Sequence, residues 1–231
     1  MKTIGLLGGM SWESSIEYYR MINEAVRDKL GGLHSAKCTM VSVDFAEIEP
    51  LQHRGKWNEA TEILIAAARS VEAGGADFVI FCTNTMHKVA DEVQKHLRIP
   101  ILHIADATAQ AIKAEGLKRV GLLGTRFTME EDFYKGRLNQ KHSLEILVPN
   151  GEDREVVHRI IYDELCLGEV KESSKIKYLD IIERMSRKGA QGIILGCTEI
   201  GLLVKKEDTP IPLFDTTRIH ALAAVEYSFK P

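Results

Sequence analysis

The chain has 231 residues, 45% hydrophobic and 27% charged, which is enough to bury a large core and too evenly mixed for a disordered or fibrous protein. A formal net charge of -3 leaves no broad basic surface for DNA, RNA or anionic lipid, and no apolar run reaches the length of a membrane span, so the expected partner is a small molecule. Its four cysteines, Cys38, Cys82, Cys166 and Cys197, are far apart without a C-x-x-C pair, which argues against a disulfide scaffold or zinc ribbon and for a reducing cytoplasm.

The apolar start, Met1 to Met10, carries Lys2, lacks a small-residue cleavage site and runs into Trp12, Glu13 and Glu17; it reads as a first strand, not a signal peptide. A helix is predicted next. Ser14 and Glu17 have capping-box spacing, and Ile16, Tyr19, Ile22, Val26 and Leu30 recur as one apolar face until Gly31 and Gly32 stop it. Short apolar runs over 39–43, 78–81, 120–123 and 192–195 predict further strands, and helices are predicted over 58–71, 88–97, 108–114, 155–165, 177–187 and 218–229. This alternation is the pattern of parallel strands joined by crossover helices, an α/β fold.

The chain also repeats itself. Ile4-Gly5-Leu6-Leu7-Gly8-Gly9 returns as Val120-Gly121-Leu122-Leu123-Gly124-Thr125, and Phe78-Val79-Ile80-Phe81-Cys82-Thr83-Asn84-Thr85 as Gly192-Ile193-Ile194-Leu195-Gly196-Cys197-Thr198-Glu199. Ile99-Pro100-Ile101 returns as Ile211-Pro212-Leu213, in the same order. Two pseudo-symmetric lobes follow, each a parallel sheet flanked by helices, with Thr83 and Cys197 at matching places facing an active-site cleft between the lobes. The expected division is 1–102 with 208–231 for the first lobe and 103–207 for the second.

Cys197 falls where an apolar strand gives way to a turn, and amides at the start of the next helix would favour its thiolate. Successive strand residues face opposite sides, so Thr83 in the cleft puts Cys82 in the packing, unless a bulge near the strand end reverses them. Asn84, Thr85, Thr125, Thr128 and Thr198 offer neutral donors suited to a carboxylate, although each could equally cap a helix. Gly5, Gly8 and Gly9 do not make the dinucleotide fingerprint, so NAD is not expected. His87, His103, His158 and His220 lack metal-ligand spacing; all read first as structural, with His87 the strongest exception because it follows Asn84 and Thr85 closely.

From Gly5-Leu6-Leu7-Gly8-Gly9-Met10-Ser11-Trp12, through Asn84-Thr85-Met86-His87 and Gly196-Cys197-Thr198-Glu199, to Phe214-Asp215-Thr216, the chain resembles the aspartate/glutamate racemase family along nearly its whole length. The resemblance implies racemisation of a small acidic amino acid without pyridoxal phosphate, metal or nucleotide, by a homodimer. In that family one cysteine before Asn-Thr and another inside Gly-Cys-Thr flank the substrate Cα. Here the second is Cys197, whereas Thr83 stands at the first position and Cys82 lies one place earlier. The resemblance also implies that Met10, Gln52, Asn84, Thr85, Thr125, Thr198 and Glu199 surround the substrate. Two rival functions remain open: a single-cysteine relative performing one-sided protonation in a decarboxylase-like reaction, and a non-catalytic binder of dicarboxylic amino acids.

Overall fold

The computed structural model describes every residue from Met1 to Pro231. In chain order it contains β1 (Ile4–Gly8), α1 (Trp12–Leu30), β2 (Cys38–Ser42), α2 (Phe45–His53), α3 (Trp57–Ala73), β3 (Phe78–Phe81), α4 (Ala90–Gln94) and α5 (Ile104–Ala114). Then come β4 (Arg119–Gly124), α6 (Arg126–Glu130), α7 (Asp132–His142), β5 (Glu145–Leu147), α8 (Gly151–Asp163), α9 (Glu172–Arg187), β6 (Ile193–Gly196), α10 (Ile200–Leu203), β7 (Leu213–Asp215) and α11 (Thr216–Ser228). No helix is long and apolar enough to cross a membrane.

The strands form two parallel sheets, β2-β1-β3 and β5-β4-β6-β7. A parallel bridge from Val79 to Ile101 extends the first sheet, so both follow the same order. The internal repeat is one of hydrogen-bonded register. Gly5 lies opposite Val79 as Gly121 lies opposite Ile193, and Leu7 opposite Phe81 as Leu123 opposite Leu195. The third echo agrees, because Val79 accompanies Ile101 as Ile193 accompanies Leu213. Strands covered on both faces need apolar side chains on both, which is why these segments read as unbroken apolar runs.

The chain forms two compact units, Met1–Ile104 with His220–Pro231, and Ala105–Ile219. Residues 208–219, expected in the first lobe, lie in the second unit because β7 hydrogen-bonds to β6. Residues 103 and 104 stay with the first unit. On one face of the first sheet Leu7, Val79 and Phe81 pack with Ile48 of α2 and with Leu64, Ala68 and Val71 of α3. On the other, Ile4, Leu6, Phe78, Ile80 and Cys82 meet Tyr18, Ile22 and Val26 of α1 and Ala221, Ala224 and Val225 of α11.

The first helix departs from expectation at its start and in its face. Ser11, not Ser14, is the N-cap, its hydroxyl accepting from Ser14 N at 3.4 Å. The inward face is Ser14, Ser15, Tyr18, Ile22 and Val26, while Ile16 and Tyr19 are each 52% exposed. The start of the helix lies against the strand ends, where Ser14 and Ser15 are buried and hydrogen-bonded to backbone. Ser15 Oγ accepts from Gly9 N at 2.9 Å and donates to Ser11 O at 3.0 Å, and Ser14 Oγ donates to Cys82 O at 2.9 Å. Gly9 has φ +92°, and a Cβ there would overlap the Val43 carbonyl, so its freedom serves the close approach of two backbone segments. Elements not anticipated are the short strands β5 and β7 and the helices α2, α6 and α7, which lack a clear apolar stripe or contain Pro50. The helix expected over 88–97 begins earlier, as a 3₁₀ turn over Thr85–Val89 that leads into α4.

Candidate active site

In the first unit, Met10 follows β1, Gln52 belongs to the helix after β2, and Cys82 to Thr85 follow β3. Three adjacent parallel strands thus deliver Met10, Gln52, Thr83, Asn84 and Thr85 beyond their carboxyl ends, the usual place for ligands in such sheets. All five are buried, and Gln52 Nε2 lies 2.9 Å from Met86 Sδ. Cys82 is fully buried among Ile4, Leu6, Tyr18 and Ile22, its N–H donating to Leu7 O at 2.9 Å. Burial, with a smaller contribution from Cys38, pushes its thiol far above the ordinary range. Cys82 is therefore a core residue, while Thr83 retains 8% exposure.

His87 sits one turn after Thr83, its Nδ1 2.8 Å from Thr83 O, while its Nε2 faces Ile104 N at 3.2 Å. Both ring nitrogens are occupied. The ring packs against His103 and Phe81, with centroids 4.5 and 5.3 Å away. His220 is structural as expected: Tyr18 Oη lies 2.9 Å from its Nδ1, Leu102 O lies 2.7 Å from its Nε2, and burial lowers its pKa to about 4.

In the second unit, Thr125 and Thr128 follow β4, and Cys197, Thr198 and Glu199 follow β6, again at carboxyl ends. Thr125 caps α6, accepting from Thr128 N at 3.3 Å with its hydroxyl 3.2 Å from that of Thr128. Its capping role is thus real. Thr216 Oγ1 donates to Leu195 O at 2.7 Å, and Thr217 Oγ1 to Thr198 O at 3.3 Å, so the start of α11 braces the strand end and the turn that carries Cys197. Of the other histidines, His158 accepts from Arg126 N at 3.2 Å.

Cys197, 8% exposed, points its Sγ at Glu199 Oε2, 2.9 Å away, and Thr198 Oγ1 donates to the same oxygen at 2.8 Å. Burial first, and then the Glu199 charge, raise the thiol pKa well above its ordinary value; a hydrogen bond from the Glu199 backbone opposes them weakly. This corrects the expectation that a helix terminus would favour the thiolate. The following helix, α10, has only four residues, and a carboxylate stands beside the sulfur. The raised pKa favours the thiol form, and the Glu199 carboxylate stands as its hydrogen-bond acceptor.

Sequence reasoning placed Glu199 near the substrate and missed its contact with Cys197, for which the only sign was a spacing of two residues. The bond from His87 to Thr83 was also missed, although the four-residue spacing carried the signal. No group of three or more His, Cys, Asp or Glu side chains could hold a metal ion.

Residues 7–224 match the sequence profile of the Asp/Glu/Hydantoin racemase family. The chain is 23% identical to the broad specificity amino-acid racemase RacX of Bacillus subtilis, over 96% of both sequences. A candidate Asp/Glu racemase from Yersinia pestis superposes with a TM-score of 0.92 at 55% identity, covering 100% of both chains. An aspartate racemase homologue from Pyrococcus horikoshii does so with a TM-score of 0.85 at 37% identity, also covering 100% of both.

Proposed function

The chain belongs to the Asp/Glu/Hydantoin racemase family and is an amino-acid racemase; we propose that it acts on acidic amino acids, L-Glu and L-Asp, without a cofactor, with Cys197 and Thr83 as its two acid/base groups. One observation carries this reading. Thr83 and Cys197 occupy the same register position in the two units, each two residues past a strand residue, Phe81 or Leu195, that pairs with the matching Leu7 or Leu123. A repeat that preserves position while exchanging Thr for Cys suits a reaction that needs one proton-transferring group on each side of a carbon.

The Cα proton of an amino acid is weakly acidic, so the enzyme must lower the energy of a carbanion-like transition state and hold both proton carriers close to it. Glu199 Oε2 takes the thiol proton of Cys197, and the thiolate removes the Cα proton. The Thr83 hydroxyl, a poor base, serves as donor or relay on the opposite face. In the first unit Met10, Gln52, Asn84 and Thr85, and in the second Thr125 and Thr198, are buried groups that suit the carboxylates of a dicarboxylic substrate. We retain the homodimer and the cytoplasm in the proposal; sedimentation velocity at micromolar concentration is expected to give twice the 25.9 kDa chain mass, and a monomer there removes the dimer.

The test is to incubate the purified protein with L- or D-Glu and with L- or D-Asp in heavy water, following Cα–H by NMR and inversion by polarimetry. Inversion with deuterium incorporation is expected. Exchange without inversion favours one-sided protonation chemistry, and binding without exchange favours a non-catalytic module.

A further inference from the structure

Three buried histidines lie together in the first unit: His87 and His103 with ring centroids 4.5 Å apart, and His87 and His220 with centroids 5.8 Å apart. Their hydrogen bonds dictate where the protons sit. A carbonyl can only accept, so the 2.8 Å contact from His87 Nδ1 to Thr83 O requires Nδ1–H. A backbone amide can only donate, so Ile104 N at 3.2 Å requires a bare Nε2. His87 is thus a neutral Nδ1–H ring. His220 takes the opposite tautomer, because its Nε2 faces Leu102 O at 2.7 Å while Tyr18 Oη supplies a proton to its Nδ1 at 2.9 Å.

With both nitrogens engaged, His87 is poorly placed to be a second base. What it holds is the peptide between Thr83 and Asn84, clamped against the backbone at Ile104. We propose that His87 is a positioning residue for the Thr83 side of the reaction, fixing the Thr83 carbonyl through its Nδ1–H and thereby aiming the Thr83 hydroxyl. The inference rests on the racemase reading above and concerns one of its two proton-transferring groups. The clamp acts on the Thr83 backbone, so losing it is expected to damage the Thr83 side of the chemistry and to spare the Cys197 side.

Three variants separate the contacts. His87→Asn can still reach Thr83 O with its amide, His87→Gln can satisfy Ile104 N but not Thr83 O, and His87→Phe keeps the ring packing and loses both bonds. In heavy water, His87→Phe and His87→Gln are expected to invert Glu or Asp about 100-fold more slowly, the cost of a small misplacement, while exchange at the Cα face served by Cys197 stays within about threefold of wild type. His87→Asn is expected to recover most of the inversion. Equal loss of exchange and inversion in His87→Phe, or unchanged inversion in all three, overturns the inference while leaving the racemase reading intact; a wild-type protein that neither exchanges nor inverts overturns that reading instead. Long-range proton–nitrogen correlation on ¹⁵N-histidine-labelled wild-type protein tests the clamp without activity. An Nδ1–H pattern for His87 and an Nε2–H pattern for His220 are expected, and an Nε2–H pattern for His87 overturns the inference.

Discussion

Cys197 and Cys82 are both buried thiols, and the difference between them lies in what each touches. Cys197 meets the Glu199 carboxylate at 2.9 Å, whereas Cys82 meets only core side chains. Cys197→Ser should therefore lower turnover by orders of magnitude while leaving the circular dichroism spectrum and thermal midpoint nearly unchanged; near-normal activity in a folded variant refutes its role. Cys82→Ala should cost on the order of 1 kcal/mol in urea unfolding through lost packing, with activity retained. Thr83→Cys should improve inversion by supplying a true base at the equivalent position. Because the Glu199 charge helps to raise the Cys197 pKa, Glu199→Gln should move the midpoint of alkylation by iodoacetamide to lower pH while slowing racemisation. An alkylation midpoint that stays or rises in this variant contradicts the electrostatic coupling.

At the scale of elements, α1 shows how a helix face is chosen. The apolar spacing in the sequence pointed to Ile16, Tyr19, Ile22, Val26 and Leu30; Ile22 and Val26 do face inward, but at the start of the helix Ser14, Ser15 and Tyr18 take the buried side and Ile16 and Tyr19 are exposed. Ile16→Glu should accordingly change unfolding free energy by less than about 0.5 kcal/mol, whereas Ile22→Ala should cost about 2–5 kcal/mol by leaving a cavity between α1 and the sheet. A large cost for Ile16→Glu in chemical denaturation would instead put Ile16 on the buried face. The strands were read more accurately than the helices. A central parallel strand must be apolar on both faces, which leaves a continuous run, while short helices such as α6 and α7 are set by loop geometry and caps that carry little periodic signal.

For the whole molecule, acid stability follows from groups that folding holds in one protonation state. His220 is buried neutral, and its folded pKa of about 4 lies below the ordinary histidine value. Its contribution is fully present above about pH 6.5 and is lost as the pH falls through 4, because the unfolded chain binds the proton first. Asp106, gripped by Arg137, Lys141 and His142, is held below the usual carboxylate range, so its contribution is lost only at still lower pH. Unfolding free energy should therefore decline between pH 6.5 and 4, and His220→Gln should flatten that slope; an unchanged slope assigns the effect elsewhere. The α/β class, the strand runs, the twofold repeat and the alignment of Thr83 with Cys197 were all present in the sequence, since each is a matter of local apolar pattern and its recurrence. Only tertiary structure decided that β7 and residues 208–219 join the second unit, that Ser14 and Ser15 rather than Ile16 and Tyr19 face the sheet, and that Glu199 raises the Cys197 pKa. Those outcomes depend on which strand edge is free to pair, how closely two backbones approach, and which charge lies beside a buried sulfur, and none of these distances is encoded in the spacing of residues along the chain.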